Sequence, residues 1–298
     1  MLLARKAALC AAFFSLVLPA WPRNAAADAE IAPGPGSFSF VDARGDASKT
    51  MTVYTYLPKE LPARSARIVF VMHGVGKNAR GYRDAWIAPA DRYGLLVVAP
   101  RFDQKQWSGG AYSYSSITAP DGKLRDASLW SFSVIEHLFD AVRTATGNPA
   151  ERYFIYGHSE GGQFVHRLVL LLPDARYARA IVANAGWYMM PAFDTRYPYG
   201  LGNAPVTRES LAKSLGRDVV IMLGELDRDS NHPQLRRTPQ AMAQGANRHE
   251  RGEAFFKEAR GRAAELGVPF GWHIQGVPGA GHENSKMSRP AAAALMEH

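Results

Sequence analysis

The 298-residue chain is 47% hydrophobic and 21% charged. That is ordinary globular composition, with enough length to bury a substantial core. Its formal net charge is +8, and its arginines, among them Arg152, Arg167, Arg176, Arg179, Arg236, Arg237 and Arg248, are scattered. No basic run is interleaved with aromatics, so they read as solvated surface charge and a nucleic-acid partner is excluded; the single cysteine, Cys10, excludes a disulfide framework.

In chain order, the first element is a leader. MLLARK is basic, ALCAAFFSLVL apolar and PRNAAA a small-residue close, which are the parts of a secretory signal peptide. The apolar stretch is shorter than the ~20 residues that a spanning helix needs. Cleavage is expected after Ala27, with Ala25 and Ala27 at the small positions. Cys10 follows Leu9 rather than a small residue, which argues against lipid attachment. Removing residues 1–27 takes away Cys10 and lowers the charge to +5. Residues 28–298 remain as a single domain, expected to be secreted or periplasmic with no stable membrane anchor. Its oligomeric state is not legible.

SFSFV (37–41) alternates like a half-buried strand, and TVYTYLP follows a turn-like DARGDAS, so the two predict an antiparallel pair. ARIVFVMHG is an apolar run without alternation, as in a strand buried on both faces. A helix is expected over 78–94 despite Pro89, then a buried strand, LLVVAP. SLWSFSVIEHLFDAVRTATG has helical spacing and ends on Gly147. RYFIYG predicts a strand, 161–172 a helix, ARAIVANAG a strand and DVVIMLGELD another with an acidic end. EAFFKEARGRAAELG reads as helix, FGWHIQGV as strand, and the tail from Ser288 as helix. Two opening strands followed by strand–helix alternation predict an α/β fold: a mostly parallel sheet with helices on both faces and antiparallel strands at the N-terminal edge. Residues 187–215 are expected to form at most a small cap.

The strand YFIYG stops at His158-Ser159-Glu160-Gly161-Gly162 and a helix starts at once. G-x-S-x-G at a strand-to-helix turn is the pattern that raises a serine above a sheet. A serine hydroxyl needs a base, and the base needs an orienting group. In this fold the acid follows the serine and the histidine follows the acid. VVIMLGELDRD supplies Glu225, Asp227 and Asp229 at a strand end; Asp227 is the expected acid and Asp229 the reserve. His282, beyond Pro278-Gly279-Ala280-Gly281, is the expected base. His273 lies inside a strand, His137 and His166 on helices, and His158 is expected to pack beneath the serine turn. No histidine pair has metal-ligand spacing, so no metal is expected. Charge developing on a carbonyl oxygen requires preorganised N–H donors. The amide of Glu160 is one candidate, and that of Val75 in His73-Gly74-Val75-Gly76 the other, with Gly76 in reserve.

These motifs together resemble an α/β-hydrolase over residues from about 50 to the end. Within that superfamily the chain is most similar to secreted esterases of the polyhydroxybutyrate-depolymerase and feruloyl-esterase type. The resemblance implies Ser159 as nucleophile, His282 as base and Asp227 as its orienting acid. It departs from many secreted depolymerases in lacking cysteines and any C-terminal substrate-binding module, which argues against an insoluble polymer. The expected activity is hydrolysis of small-molecule or oligomeric carboxylic esters through an acyl-enzyme, with no cofactor. GVGKNARG lacks the spacing of a phosphate-binding loop. The alternatives are a polyester or polymer depolymerase, a peptidase or amidase with the same triad, acyl transfer to another acceptor, or a non-catalytic binding protein on this scaffold. Trp187 and Tyr188 are the candidate substrate-binding residues, as strand ends at this edge line ligands. Trp107 and the tyrosines of GGAYSYSS are further candidates, and Arg236, Arg237 and Arg248 could attract an anionic ester.

Overall fold

A computed structural model describes residues 31–108, 110–114, 116–119 and 121–297, so the leader lies outside the described residues. Eight strands form one sheet: β1 (Gly34–Val41), β2 (Thr50–Leu57), β3 (Arg67–Met72), β4 (Leu95–Arg101), β5 (Tyr153–His158), β6 (Tyr177–Ala183), β7 (Val219–Gly224) and β8 (Trp272–Val277). Their order across the sheet is β1-β2-β4-β3-β5-β6-β7-β8. β1 pairs with β2 and β2 with β4 in antiparallel register; every other pairing is parallel.

The unbroken apolar runs are explained by two hydrophobic layers. Ile68, Phe70 and Met72 of β3 enter one layer, while Val69 and Val71 enter the other. β4 divides likewise, Leu96 and Val98 on one side and Leu95, Val97 and Ala99 on the other. Helices α1 (Ala79–Ala85), α2 (Ile87–Tyr93) and α8 (Asn284–Ala294) cover the second layer through Trp86, Ala90, Met287 and Ala291. The first layer lies beneath α3 (Ser133–Thr146), α4 (Glu160–Leu171), α5 (Arg208–Leu215) and α7 (Arg248–Leu266). Both faces therefore demand apolar residues, and alternation disappears.

Several boundaries differ from the expected ones, among them α8, which starts at Asn284 rather than Ser288. The helix over 78–94 is split at Trp86 into α1 and α2. Pro89 has no N–H to offer the Ala85 carbonyl one turn back, so the helix breaks there. α3 starts at Ser133, not 128, because Ala127–Leu129 form a short 3-10 turn capped by the Asp126 carboxylate on the Ser128 amide. α7 is longer than expected, running from Arg248 with Asn247 as its cap. The 187–215 segment is irregular up to Val206 and ends in α5, with the four-residue α6 (Pro239–Met242) further along. Among the described residues no helix is long and apolar enough to cross a membrane.

Candidate active site

The serine turn is built by close backbone approach. A Cβ on Gly157 would stand 2.1 Å from the Gly161 carbonyl oxygen, and one on Gly161 would stand 2.1 Å from that of Met72. Only glycine permits β3, β5 and the first turn of α4 to approach so closely. Ser159 is held between them at φ 60°, ψ −117°, a strained conformation for a non-glycine residue. Its amide donates to the Ala183 carbonyl at 3.0 Å.

The acid arrives from the end of β7. Gly224 is small because a Cβ there would lie 2.6 Å from the carbonyls of both Ala280 and Gly281, the two residues before the histidine. Its value is thus close contact with the histidine loop. The Asp227 amide closes the turn onto the Gly224 carbonyl at 3.0 Å. A residue missed in the sequence, Asn184 at the exit of β6, ties both loops. Its amide group donates to the Gly281 carbonyl at 2.9 Å, and its oxygen accepts from the Gly224 amide at 2.8 Å. The signal that could have found it is an asparagine directly after the apolar run ARAIVA, since asparagine tolerates the left-handed region that it adopts here, fully buried at φ 44°.

The three residues meet in one line of hydrogen bonds. His282 Nε2 is 3.0 Å from Ser159 Oγ, and His282 Nδ1 is 2.7 Å from Asp227 Oδ2. Asp227 is buried, and its second oxygen faces Arg248 Nη1 at 3.4 Å. Asp229 is exposed and accepts from the Asn231 amide, away from His282. His158 packs beneath the turn with its ring 4.8 Å from that of His282 and its Nδ1 3.0 Å from the Tyr82 hydroxyl. Burial holds its pKa well below the ordinary histidine value, so it is neutral.

The loop after β3 is fixed by His73. Its Nε2 accepts from the Phe102 amide at 3.0 Å, so Nδ1 carries the proton and donates to the Gly74 carbonyl at 2.9 Å. Burial lowers the pKa of this ring to about 3. Val75 from this loop and Glu160 from the start of α4 line the same cleft as Ser159. The first amides of a helix have no partner within it, and they point at whatever lies beyond the N-terminus.

That cleft has a volume of about 250 Å³ and is also lined by Tyr114, Gln163, Trp187, Gln234 and Arg236. Trp187 lines it although only 3% exposed, with the guanidinium of Arg167 4.2 Å and that of Arg236 4.7 Å from its ring centre. Tyr188 does not line it, which corrects the expectation for that residue. Its ring is fully buried and stacks on Phe255 of α7 at 4.5 Å. Trp107 is likewise buried, edge-on to Phe102, while Tyr114 does reach the cleft. Two arginines expected at the surface are buried. Arg248 lies against Asp227, and Arg167 donates hydrogen bonds to the carbonyls of Gln163 and Pro198 while burial lowers its pKa to about 10. Among the described residues no cluster of three or more His, Cys, Asp or Glu is placed to hold a metal ion.

A serine held on a strained strand-to-helix turn, above a mostly parallel sheet and against a histidine–carboxylate pair, defines an α/β-hydrolase. No protein-family model matches the chain. Solved structures do. Poly(aspartic acid) hydrolase-1 from Sphingomonas sp. KT-1 is 44% identical with a TM-score of 0.86, covering 90% of this chain and 100% of that one. LpqC, a poly(3-hydroxybutyrate) depolymerase from Bordetella parapertussis, is 34% identical with a TM-score of 0.83, covering 89% and 90%. Feruloyl esterase B from Talaromyces funiculosus is 26% identical over 140 residues, which span 46% of this chain and 37% of that enzyme. The chain belongs to the α/β-hydrolase family of serine hydrolases, in the esterase and depolymerase group that holds these relatives.

Proposed function

We propose that the chain is an exported serine hydrolase that cleaves carboxylic acyl bonds through an acyl-enzyme on Ser159. The observation that carries this reading is the unbroken Ser159–His282–Asp227 line, whose serine lines an open cleft. As Ser159 Oγ attacks the substrate carbonyl, its proton passes to His282 Nε2, and Asp227 steadies the resulting imidazolium. The carbonyl oxygen gains its negative charge against the amides of Val75 and Glu160. Collapse expels the alcohol with the proton from His282. Water, deprotonated by the same nitrogen, then attacks the acyl-enzyme and releases the acid. Residues 1–27 direct export and are removed.

Carboxylic esters are the first substrate class. One observation favours a second reading, an anionic polyamide such as poly(aspartic acid). Arg236 lines the cleft bonded to the Tyr199 hydroxyl at 2.6 Å and forms no ion pair with a described residue. A relative at 44% identity is named for hydrolysis of that polymer.

The test uses residues 28–298 and the Ser159→Ala variant on p-nitrophenyl esters from acetate to palmitate, an anilide, poly(aspartic acid) and poly(3-hydroxybutyrate). Ser159-dependent release of acid is expected, with the variant down by on the order of 10⁶ in kcat. Product from poly(aspartic acid) but from no ester would select the polyamide reading. A folded protein inactive on all of them leaves a binding scaffold. Mass spectrometry of the exported protein is expected to find a start at Asp28, and an intact Met1 would refute export by cleavage.

A further inference from the structure

Two backbone segments must keep a fixed separation if both are to receive one oxyanion. One is the turn from Gly74 to Lys77 with the Val75 amide; the other is the start of α4 with the Glu160 amide. A side-chain ion pair joins them across 83 positions of sequence, Lys77 Nζ to Glu160 Oε2 at 2.6 Å. The two side chains are only 11% and 14% exposed. Ser113 Oγ donates to the other carboxylate oxygen at 3.2 Å, and the ammonium sits 4.5 Å from the centre of the buried Tyr112 ring. Lys77 is itself left-handed at φ 54°, a conformation that its surroundings must hold in place.

The charges matter as much as the distance. A carboxylate in the first turn is favoured by the field at the helix N-terminus. Glu160 therefore competes for the same field as the charge developing on the substrate oxygen, and an unpaired carboxylate there would repel it. Ion pairs in open solvent do little, but this one is largely shielded. The residue that carries one oxyanion donor thus brings an unfavourable charge, and the loop that carries the other brings its neutraliser.

We propose that Lys77 and Glu160 are positioning residues of the oxyanion hole, with Lys77 both bracing the two segments and cancelling the Glu160 charge. This rests on the serine-hydrolase reading and deepens it. The test compares Lys77→Met, Lys77→Arg, Glu160→Gln and the Lys77→Met/Glu160→Gln double variant with wild type and Ser159→Ala. It records kcat and KM on the best substrate, unfolding midpoints, and the affinity of phenylboronic acid, whose adduct with a serine is a tetrahedral anion.

Lys77→Met should lower kcat by about 10- to 100-fold, less than outright loss of an oxyanion donor. KM should stay within about threefold, and boronate affinity should fall with kcat. Glu160→Gln, which weakens the brace but leaves only a cation that does not repel the oxyanion, should fall less. The double variant should recover towards Glu160→Gln, and Lys77→Arg should retain most activity. Should Lys77→Met fail to fold, Glu160→Gln and Lys77→Arg against wild type still read the brace through kcat and boronate affinity. Wild-type kcat in Lys77→Met overturns the proposal, as does a loss confined to KM or a double variant no better than Lys77→Met. Absence of Ser159-dependent turnover in the wild type would instead defeat the hydrolase reading itself.

Discussion

Arg248 faces the one oxygen of Asp227 that His282 leaves free: Nη1 stands 3.4 Å from Oδ1, while His282 Nδ1 takes Oδ2 at 2.7 Å. The two side chains are 2% and 3% exposed, and burial pulls the Arg248 pKa below its ordinary value although Asp227 opposes the shift. A buried pair adds little net stability, but removing one partner strands the other charge and costs about 3–5 kcal/mol. Arg248→Met is therefore expected to be less stable than wild type by roughly 3 kcal/mol in urea unfolding at pH 7.5. An unchanged midpoint would mean that Asp227 reaches water without the arginine.

The acid assignment is separately testable. Asp227→Asn keeps the shape of the site but loses the charge that orients and supports His282, so kcat should fall by about 10⁴. Asp229→Asn removes only an exposed contact to the Asn231 amide and should leave kcat unchanged. Steady-state kinetics of the two variants decide; the reverse order would move the acid by two positions.

The parts legible from sequence were those set by local chemistry. The central strands were visible because a sheet covered on both faces requires uninterrupted apolar runs such as RIVFVM and VVIMLG. Ser159 and Asp227 stood out because each follows a glycine at a strand end, where a Cβ would strike another backbone, and His282 because it follows the glycine-rich loop Pro278-Gly279-Ala280-Gly281. The illegible parts depend on distant segments meeting. Nothing in its neighbours marks Arg248 as buried, since its partner lies 21 positions away. Trp187 and Tyr188 are adjacent and equally aromatic, yet one lines the cleft and the other packs on Phe255, a choice made by the packing of α7.

Three histidines outside the proposed catalytic line should set the acid sensitivity of the fold. Burial lowers the pKa of His73 to about 3 and holds His158 and His166 well below the ordinary 6.5. The folded state keeps these rings neutral while the unfolded chain protonates them below about 6.5, so unfolding takes up protons and stability falls as pH falls. Between pH 7.5 and 5.5 each such ring costs about 1.4 kcal/mol, or roughly 4 kcal/mol for the three. Urea unfolding across that range should show the decline, before the carboxylates begin to titrate. A flat profile would mean that these rings protonate without unfolding the chain.

The guanidinium of Arg236 lies beside Trp187 at the edge of the cleft and is bonded to the Tyr199 hydroxyl rather than to any described carboxylate. A cation so placed has hydrogen-bonding capacity left for a substrate carboxylate, and a hydrogen bond between charged partners is worth about 1.5–3 kcal/mol. Arg236→Gln should therefore raise KM for a carboxylate-bearing substrate about 10-fold or more, with kcat little changed. A neutral p-nitrophenyl butyrate should show no such rise. Tyr188→Phe, altered within the core, should leave KM for both unchanged. Added salt should mimic Arg236→Gln on the anionic substrate, because screening weakens charge recognition. Equal KM changes for both substrates would falsify Arg236 as the carboxylate-recognising group and leave it as packing for the Trp187 ring.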